Sequence, residues 1–245
     1  MIGIQGKVVA ITGASSGIGR ATALMLAERG AKLILGARRE PLLQQLQTEI
    51  LEKGGEALIC ITDVSKKADL VRLIDLAKSH FGRLDVLFSN AGIGPISALD
   101  DLEVTDWEAM IDVNIKGYLY GIAAALPVFR QQEFGHFVTT ISTAGLKIVP
   151  TMAVYAATKN AVRTINEALR QEAGPNLRVS GISPGLVQTN FADSMTDPLA
   201  KAQTIAAMET LGISPEAVAR AICFVIEQPA DVDVGDIVVR PTAQA

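Results

Sequence analysis

Lys7-Val8-Val9-Ala10-Ile11-Thr12-Gly13-Ala14-Ser15-Ser16-Gly17-Ile18-Gly19 is the stretch whose reading decides the fold, together with the Ala21-Thr22-Ala23-Leu24-Met25-Leu26-Ala27 run that follows it. An apolar run short enough for a buried parallel strand feeds a glycine-rich turn, and the turn opens onto a helix. Gly13 frees the backbone for a tight turn, Gly17 lets the main chain come close to a diphosphate, and Gly19 lets the helix pack closely on its strand. The first N–H groups of the helix, with Ser15, Ser16 and Ile18 in the turn, then face an anion. The spacing is Thr-Gly-x-x-x-Gly-x-Gly, which departs from the Gly-x-Gly-x-x-Gly dinucleotide fingerprint. A strand-to-helix turn with no ligand fits the same pattern, so the rest of the chain has to decide.

At 245 residues the chain suits one α/β domain with a core large enough to need no disulfide. Its hydrophobic content of 49% points to a well-buried sheet. Lys and Arg number 22 against 26 Asp and Glu, for a net charge of -4, so no polyanion-binding surface is expected and nucleic acid is not a partner. Cys60 and Cys223 lie in apolar runs and read as buried inert thiols, not as a disulfide or a metal site. His80 and His136 stand far apart, each beside a Phe, so no metal centre is expected. The apolar run at Val8 is broken by Thr12-Gly13, which is unlike a signal peptide. The longest apolar stretch, Tyr118 to Phe129, is too short for a membrane span and contains Pro127. The expectation is a soluble, cytoplasmic protein with no membrane partner.

Strand and helix alternate along the chain without a linker. Strands are expected at Lys32–Ala37, Ala57–Ile61, Leu84–Phe88, His136–Ile141, Arg178–Ser183 and Ile237–Val239. Between them, helices are expected at Pro41–Lys53, from caps at Asp63 or Ser65 to His80, over Thr105–Gln132, over Val154–Glu172, and from a Ser214 cap through Pro215 to Glu227. Pro184 to Gly212 reads as a proline-rich polar stretch. The fold class is therefore α/β, a doubly wound parallel sheet of about seven strands. Ligands of such sheets sit outside the carboxyl ends of the strands.

Tyr155-Ala156-Ala157-Thr158-Lys159 is the second informative stretch. Residues four apart share a helix face, so the Tyr155 hydroxyl and the Lys159 ammonium can approach one another. A nearby cation favours the ionised phenol and is expected to lower the tyrosine pKa, which would make Tyr155 a proton donor and acceptor for a carbonyl/alcohol pair. Ser142, at the end of the preceding strand, could add a hydroxyl bond to the developing alkoxide. A core tyrosine with a solvated lysine has the same spacing.

The chain resembles the short-chain dehydrogenase/reductase family, in its single-domain branch with a Tyr-x-x-x-Lys pair, from Lys7 to about Arg240. The likeness rests on Thr12-Gly-x-x-x-Gly17-Ile-Gly19, Asp63-Val64, Asn90-Ala91-Gly92, Asn114, Ser142, Tyr155 with Lys159, and Pro184-Gly185-x-Val187-x-Thr189. It implies one Rossmann domain over 1–245, with a cofactor part to about residue 140 and a catalytic and substrate part after it. It further implies that Tyr155 is the general acid in reduction, that Ser142 polarises the carbonyl, that Lys159 holds the nicotinamide ribose, and that Asn114 supports a water chain to Lys159. Asp63 and Val64 would touch the adenine, Asn90-Ala91-Gly92 the adenosine ribose, and Pro184, Gly185, Val187 and Thr189 the nicotinamide end. Each also has a plainer reading: Asp63 as a local cap, Asn90-Ala91-Gly92 as a turn, Asn114 as a residue that bends a helix. Ser89 departs from the family, where many relatives carry a second Asn.

Cofactor choice follows from charge. NAD-selecting enzymes place a carboxylate at the end of the second strand, whereas here Ala37 is followed by Arg38 and Arg39. With Ser15 in the turn, these cations favour a 2′-phosphate and hence NADP(H), although both arginines could also be solvated surface charges. The substrate side chains expected are Leu146, Ile148, Val149, Met152, Phe191 and Met195, with no Arg placed for a substrate carboxylate, so a neutral small-molecule ketone or aldehyde is expected. Relatives imply a homo-oligomer, tetramer or dimer. Two alternatives stand beside this reading: an NAD-linked alcohol or hydroxy-acid dehydrogenase working oxidatively, and a non-catalytic dinucleotide sensor or scaffold.

Overall fold

Val8 to Ile11 are all buried because β1 (Val8–Thr12) lies inside a seven-stranded parallel sheet in the computed structural model, which describes residues 3–244. Its neighbours are β2 (Lys32–Ala37) on one side and β4 (Val86–Ser89) on the other. The full order is β3-β2-β1-β4-β5-β6-β7, with β3 at Glu56–Ile61, β5 at Gly135–Thr140, β6 at Leu177–Pro184 and β7 at Asp236–Val239. Eight α-helices are described: α1 (Gly17–Glu28), α2 (Glu40–Glu52), α3 (Lys67–Phe81), α4 (Val104–Met110), α5 (Gly117–Gln132), α6 (Ala153–Ala173), α7 (Pro198–Leu211) and α8 (Pro215–Glu227).

The period of two along each strand divides the core into two layers. Val9, Ile11, Leu33 and Leu35 pack with Leu26 of α1, Leu46 of α2 and Ile222 of α8. Val8, Ala10 and Ile34 pack on the opposite face with Leu73 of α3, Phe129 of α5 and Leu169 of α6. This is the doubly wound sheet that the alternating pattern predicts, closed as one domain. Because the chain leaves β1 toward β2 and β3, then returns to β4 on the other side, the strand order reverses beside β1. Register aligns the strand ends, with Thr12 beside Gly36, Ser89 beside Thr139, Thr140 beside Ile182 and Pro184 beside Val239.

Five local expectations need correction. The helical run over Thr105–Gln132 is present, but Ile111–Lys116 in its middle is π-helical, and Asn114 is the residue that this wider turn buries. The stretch from Pro184 to Gly212 contains α7, whose Asp197 side chain accepts from the Ala200 N–H and whose Pro198 opens the first turn. The helix gives no periodic signal because Met208 is its buried residue while Leu199, Ile205 and Leu211 are exposed. Neither Asp63 nor Ser65 caps α3: Asp63 accepts from both Ser65 groups, and Lys66 takes the N-cap position. Ser214 does sit at the N-cap of α8, but without a capping bond from its side chain. Cys223 is buried as expected, whereas Cys60 is half-buried; both are free thiols. Among the described residues, no helix is long and apolar enough to cross a membrane.

Phe129 anchors the second layer. It is fully buried, meets Phe137 edge-on at 4.9 Å, and lies so close over Gly135 that an added Cβ there would overlap its ring. Phe129→Ala is expected to lose about 3–5 kcal/mol in urea unfolding, since Gly135 has no side chain to fill the space. A loss below about 1 kcal/mol would contradict this packing.

Candidate active site

At the edge where the strand order reverses, the ends of β1, β4, β5 and β6 line one cleft of about 700 Å³. Its floor on the β1 side is the glycine turn. Gly13 (φ +66) and Gly17 (φ +53) hold left-handed conformations, and an added Cβ would stand 2.9 Å from Ala91 Cα or 3.0 Å from Thr189 Cγ2. A Cβ at Gly19 would overlap the Gly13 carbonyl and reach Asn90 Nδ2 at 2.7 Å. No side-chain cap covers the start of α1, so its first N–H groups remain available to an anion. This cradle fits a dinucleotide diphosphate.

Charge gathers at the same end. Arg39, at the N-cap of α2, donates from Nη2 to Ser15 Oγ at 3.1 Å and to Ser16 Oγ at 2.7 Å, which holds its guanidinium over the turn. Arg38 is exposed beside it and attracts Asp63 electrostatically. Burial pushes the Asp63 carboxyl up, but the Ser65 hydrogen bonds and the Lys66 and Arg38 charges together bring it below its ordinary value. Val64 and Asp63 form the wall next to Arg38 and Arg39.

The opposite wall is α6 and the 3₁₀ turn Thr143–Gly145 after β5. Tyr155 and Lys159 are buried one helical turn apart, with Nζ 5.9 Å from the tyrosine ring centroid. Burial pushes the Tyr155 phenol up to about 12, against a smaller pull from its hydrogen bond with Ser142. The same burial brings Lys159 down to about 8. The phenol shift is opposite to the expected one. Lys159 Nζ donates to the Thr140 carbonyl at 3.1 Å, so its charge is held by β5 and does not offset the desolvation of the phenol.

Asn114 lies behind the cleft. Its Oδ1 accepts from Ile93 N at 3.0 Å, and its Nδ2 donates to Ile93 O at 2.9 Å and Thr158 Oγ1 at 3.1 Å, so the π-helical turn pins the loop after β4 to α6. Between Asn114 and Lys159 is an internal cavity of about 20 Å³ lined also by Ser89, Tyr118, Thr139 and Thr140, polar and large enough for one water. Gly19 packs behind the turn, and the other residues expected at the site all line the cleft, including Ile18, Asn90, Ala91, Gly92, Pro184, Gly185, Val187 and Thr189.

Leu146, Val149, Met152, Phe191 and Met195 form the apolar end as expected, joined by Met208 of α7. The Phe191 ring is tilted against Tyr155 at 5.5 Å and leaves no room for a side chain at Gly94. Ser194 Oγ accepts from Gly94 N at 3.1 Å, and Thr196 donates to Asp106, which ties this segment to the loop after β4 and to α4. Ile148 is largely exposed and stands apart from the wall. Arg240 and Gln244, which no motif marks in the sequence, also line the cleft, with Arg240 beside Gly185. A polar residue past the last strand carries no periodicity or motif that would have marked it.

Glycine cradle, helix start and buried tyrosine–lysine pair at a topological switch point define a nucleotide-dependent oxidoreductase of the Rossmann type. The family model described as short chain dehydrogenase matches residues 7–200, and the chain belongs to that family. An uncharacterized oxidoreductase of Listeria monocytogenes is 46% identical over 98% of each chain. An alcohol dehydrogenase from the archaeon Thermococcus sibiricus, solved with 5-hydroxy-NADP, is similar with a TM-score of 0.88, at 30% identity over 98% of this chain and 99% of that one. A short chain dehydrogenase/reductase from Burkholderia phymatum, solved with NAD, gives a TM-score of 0.89 at 32% identity over 97% and 90%.

Lys159 sets a measurable pH dependence. Its folded value of about 8 lies below its ordinary 10.5, so between those values the unfolded chain binds more protons and stability rises with pH. Below pH 8 the cost of the buried cation is fully present, about 3 kcal/mol. Lys159→Met removes that cost and strands the Thr140 carbonyl, for a net gain of about 2 kcal/mol at pH 7 that shrinks toward pH 10. Urea unfolding without added nucleotide measures it. A variant less stable than wild type at pH 7 would contradict the assignment.

Proposed function

We propose that this chain is an NADP(H)-dependent carbonyl reductase of the Tyr-x-x-x-Lys branch, reducing a neutral ketone or aldehyde to an alcohol. The observation that carries the reading is the buried Tyr155 hydroxyl, bonded to Ser142 and set one turn from Lys159, on the cleft wall opposite the glycine turn. When bound, the dinucleotide supplies the hydride that reaches the carbonyl carbon. Its diphosphate would lie on Gly13–Gly19, its adenine beside Asp63 and Val64, its adenosine ribose by Asn90-Ala91-Gly92, and its nicotinamide end by Pro184, Gly185, Val187 and Thr189.

Tyr155 gives its proton to the carbonyl oxygen. A phenol at about 12 is protonated at neutral pH and so holds the proton that reduction requires. The Ser142 hydroxyl donates to the same oxygen and stabilises the charge that grows there. Lys159 holds the nicotinamide ribose and, through the water-sized cavity beside Asn114, returns a proton toward Tyr155. Preference for NADP(H) rests on Arg39, Ser15 and Ser16 gathered as donors where a 2′-phosphate would sit, with Arg38 beside them and no carboxylate at the end of β2. The similar structures hold NADP-type or NAD cofactors, so this donor group is what argues for the phosphate. The apolar end formed by Met152, Phe191, Met195 and Met208 supports a neutral substrate, and its thioethers adapt to varied shapes.

The test is nucleotide oxidation over a panel of aryl ketones, diketones, aldehydes and keto esters, with NADPH and NADH in parallel. Wild type should turn over with NADPH, and Tyr155→Phe should lose at least about 100-fold in kcat. Arg39→Ala should raise KM for NADPH roughly 10-fold and leave that for NADH unchanged. Turnover that survives in Tyr155→Phe would overturn the acid assignment, and binding of NADPH without turnover of any carbonyl would favour a sensor.

A further inference from the structure

The loop that follows β6 is held by residues beyond β7. Gly185 N donates to Val239 O at 2.8 Å, Leu186 N to the side-chain Oε1 of Gln244 at 2.9 Å, and Gln188 N to Ile213 O at 2.9 Å. Ile213 N completes the brace by donating to Leu186 O at 3.1 Å. Across Gly185–Gln188, Val187 is the one residue whose backbone N–H meets no acceptor among the described residues, and Val187 lines the cleft although its side chain is buried. Buried backbone donors are nearly always paired, so a free one at a cleft wall marks a place for a ligand acceptor. Gln244 is set for its part by a turn in which its own N–H donates to Pro241 O at 3.1 Å. The fit against the loop is close, since a Cβ at Gly185 would overlap Gln244 Oε1 and stand 2.7 Å from Arg240 Cβ.

We propose that Gln244 is a positioning residue for the nicotinamide end of the cofactor: by taking the Leu186 N–H it fixes the loop so that the Val187 N–H is left to donate to the carboxamide. This rests on the dinucleotide reading of the cleft. Without the Gln244 acceptor, the Leu186 N–H is unpaired and only the Val239 and Ile213 bonds hold the loop, so the Val187 N–H is less closely aimed, which costs affinity for ligands that carry a nicotinamide. The Arg39 group is held over the turn by Ser15 and Ser16, and none of its hydrogen bonds runs through Gln244.

The experiment compares NADPH with 2′-phospho-ADP-ribose, which lacks the nicotinamide, by titration calorimetry on wild type, Gln244→Ala and Gln244→Glu. The readout is the ratio of the two affinities, which cancels any general effect of a new charge or a loosened chain end. Gln244→Ala should lower the ratio by about 3- to 10-fold, the range of one hydrogen bond, and Gln244→Glu, which keeps an acceptor, should restore it. An unchanged ratio in Gln244→Ala, or an equal loss for both ligands, overturns the proposal, as does a Gln244→Glu ratio no better than that of Gln244→Ala. If wild type binds neither ligand, the dinucleotide reading itself fails and this inference with it.

Discussion

The site depends on Asn90. Its backbone N–H and that of Ala91 donate to Thr12 Oγ1 at 3.0 and 3.1 Å, its Nδ2 donates to the carbonyls of Thr12 at 3.1 Å and Gly13 at 3.3 Å, and its Oδ1 accepts from Thr140 Oγ1 at 3.1 Å. The Thr140 carbonyl in turn accepts from Lys159 Nζ. One amide side chain thus bonds the end of β1, the glycine turn and the end of β5, and through Thr140 reaches α6. Each such bond contributes about 1 kcal/mol net, but in a low-dielectric interior an unpaired member costs more, so the network favours a single arrangement. The Gly13 turn and the tyrosine–lysine helix, 140 residues apart in sequence, are set against each other by these bonds.

Burial does opposite things to the two ionisable groups at the centre. It holds the phenol in its neutral, proton-donating form and makes the ammonium easier to deprotonate, at about 12 and about 8 respectively. The pair is therefore not an ion pair in waiting. It is a protonated phenol beside a cation that the fold stabilises poorly, and acceptors on a bound ligand would relieve that cation. Stability given up at Lys159 is compatible with a role in binding.

Much of the site was legible because its groups are spaced by backbone periods. The strand-turn-helix at Lys7–Ala27 and the Tyr155–Lys159 pair each follow from one repeat, two residues for a strand or about four for a helix, and both lie where that reading puts them. What was not legible depends on contacts between distant segments. The sign of the Tyr155 shift follows from how deeply the ring is buried, which no spacing reveals. The π-helical turn at Ile111–Lys116 leaves the hydrophobic pattern intact, and α7 has little buried face to give one. Gln244 acts through a bond to Leu186, a pairing across 58 residues that depends on β7 lying beside β6.

The central claim is that the glycine turn and the tyrosine–lysine pair are one unit joined through Asn90. The most direct measurement is NADPH affinity by titration together with the single-turnover rate of nucleotide oxidation at saturating NADPH, in wild type and Asn90→Ala. The account predicts that both fall, affinity because the Gly13 turn loosens and rate because Thr140 and Lys159 shift with it. A variant that binds NADPH weakly yet turns over at the wild-type rate once saturated would show that the two halves of the cleft are independent, and would contradict the account.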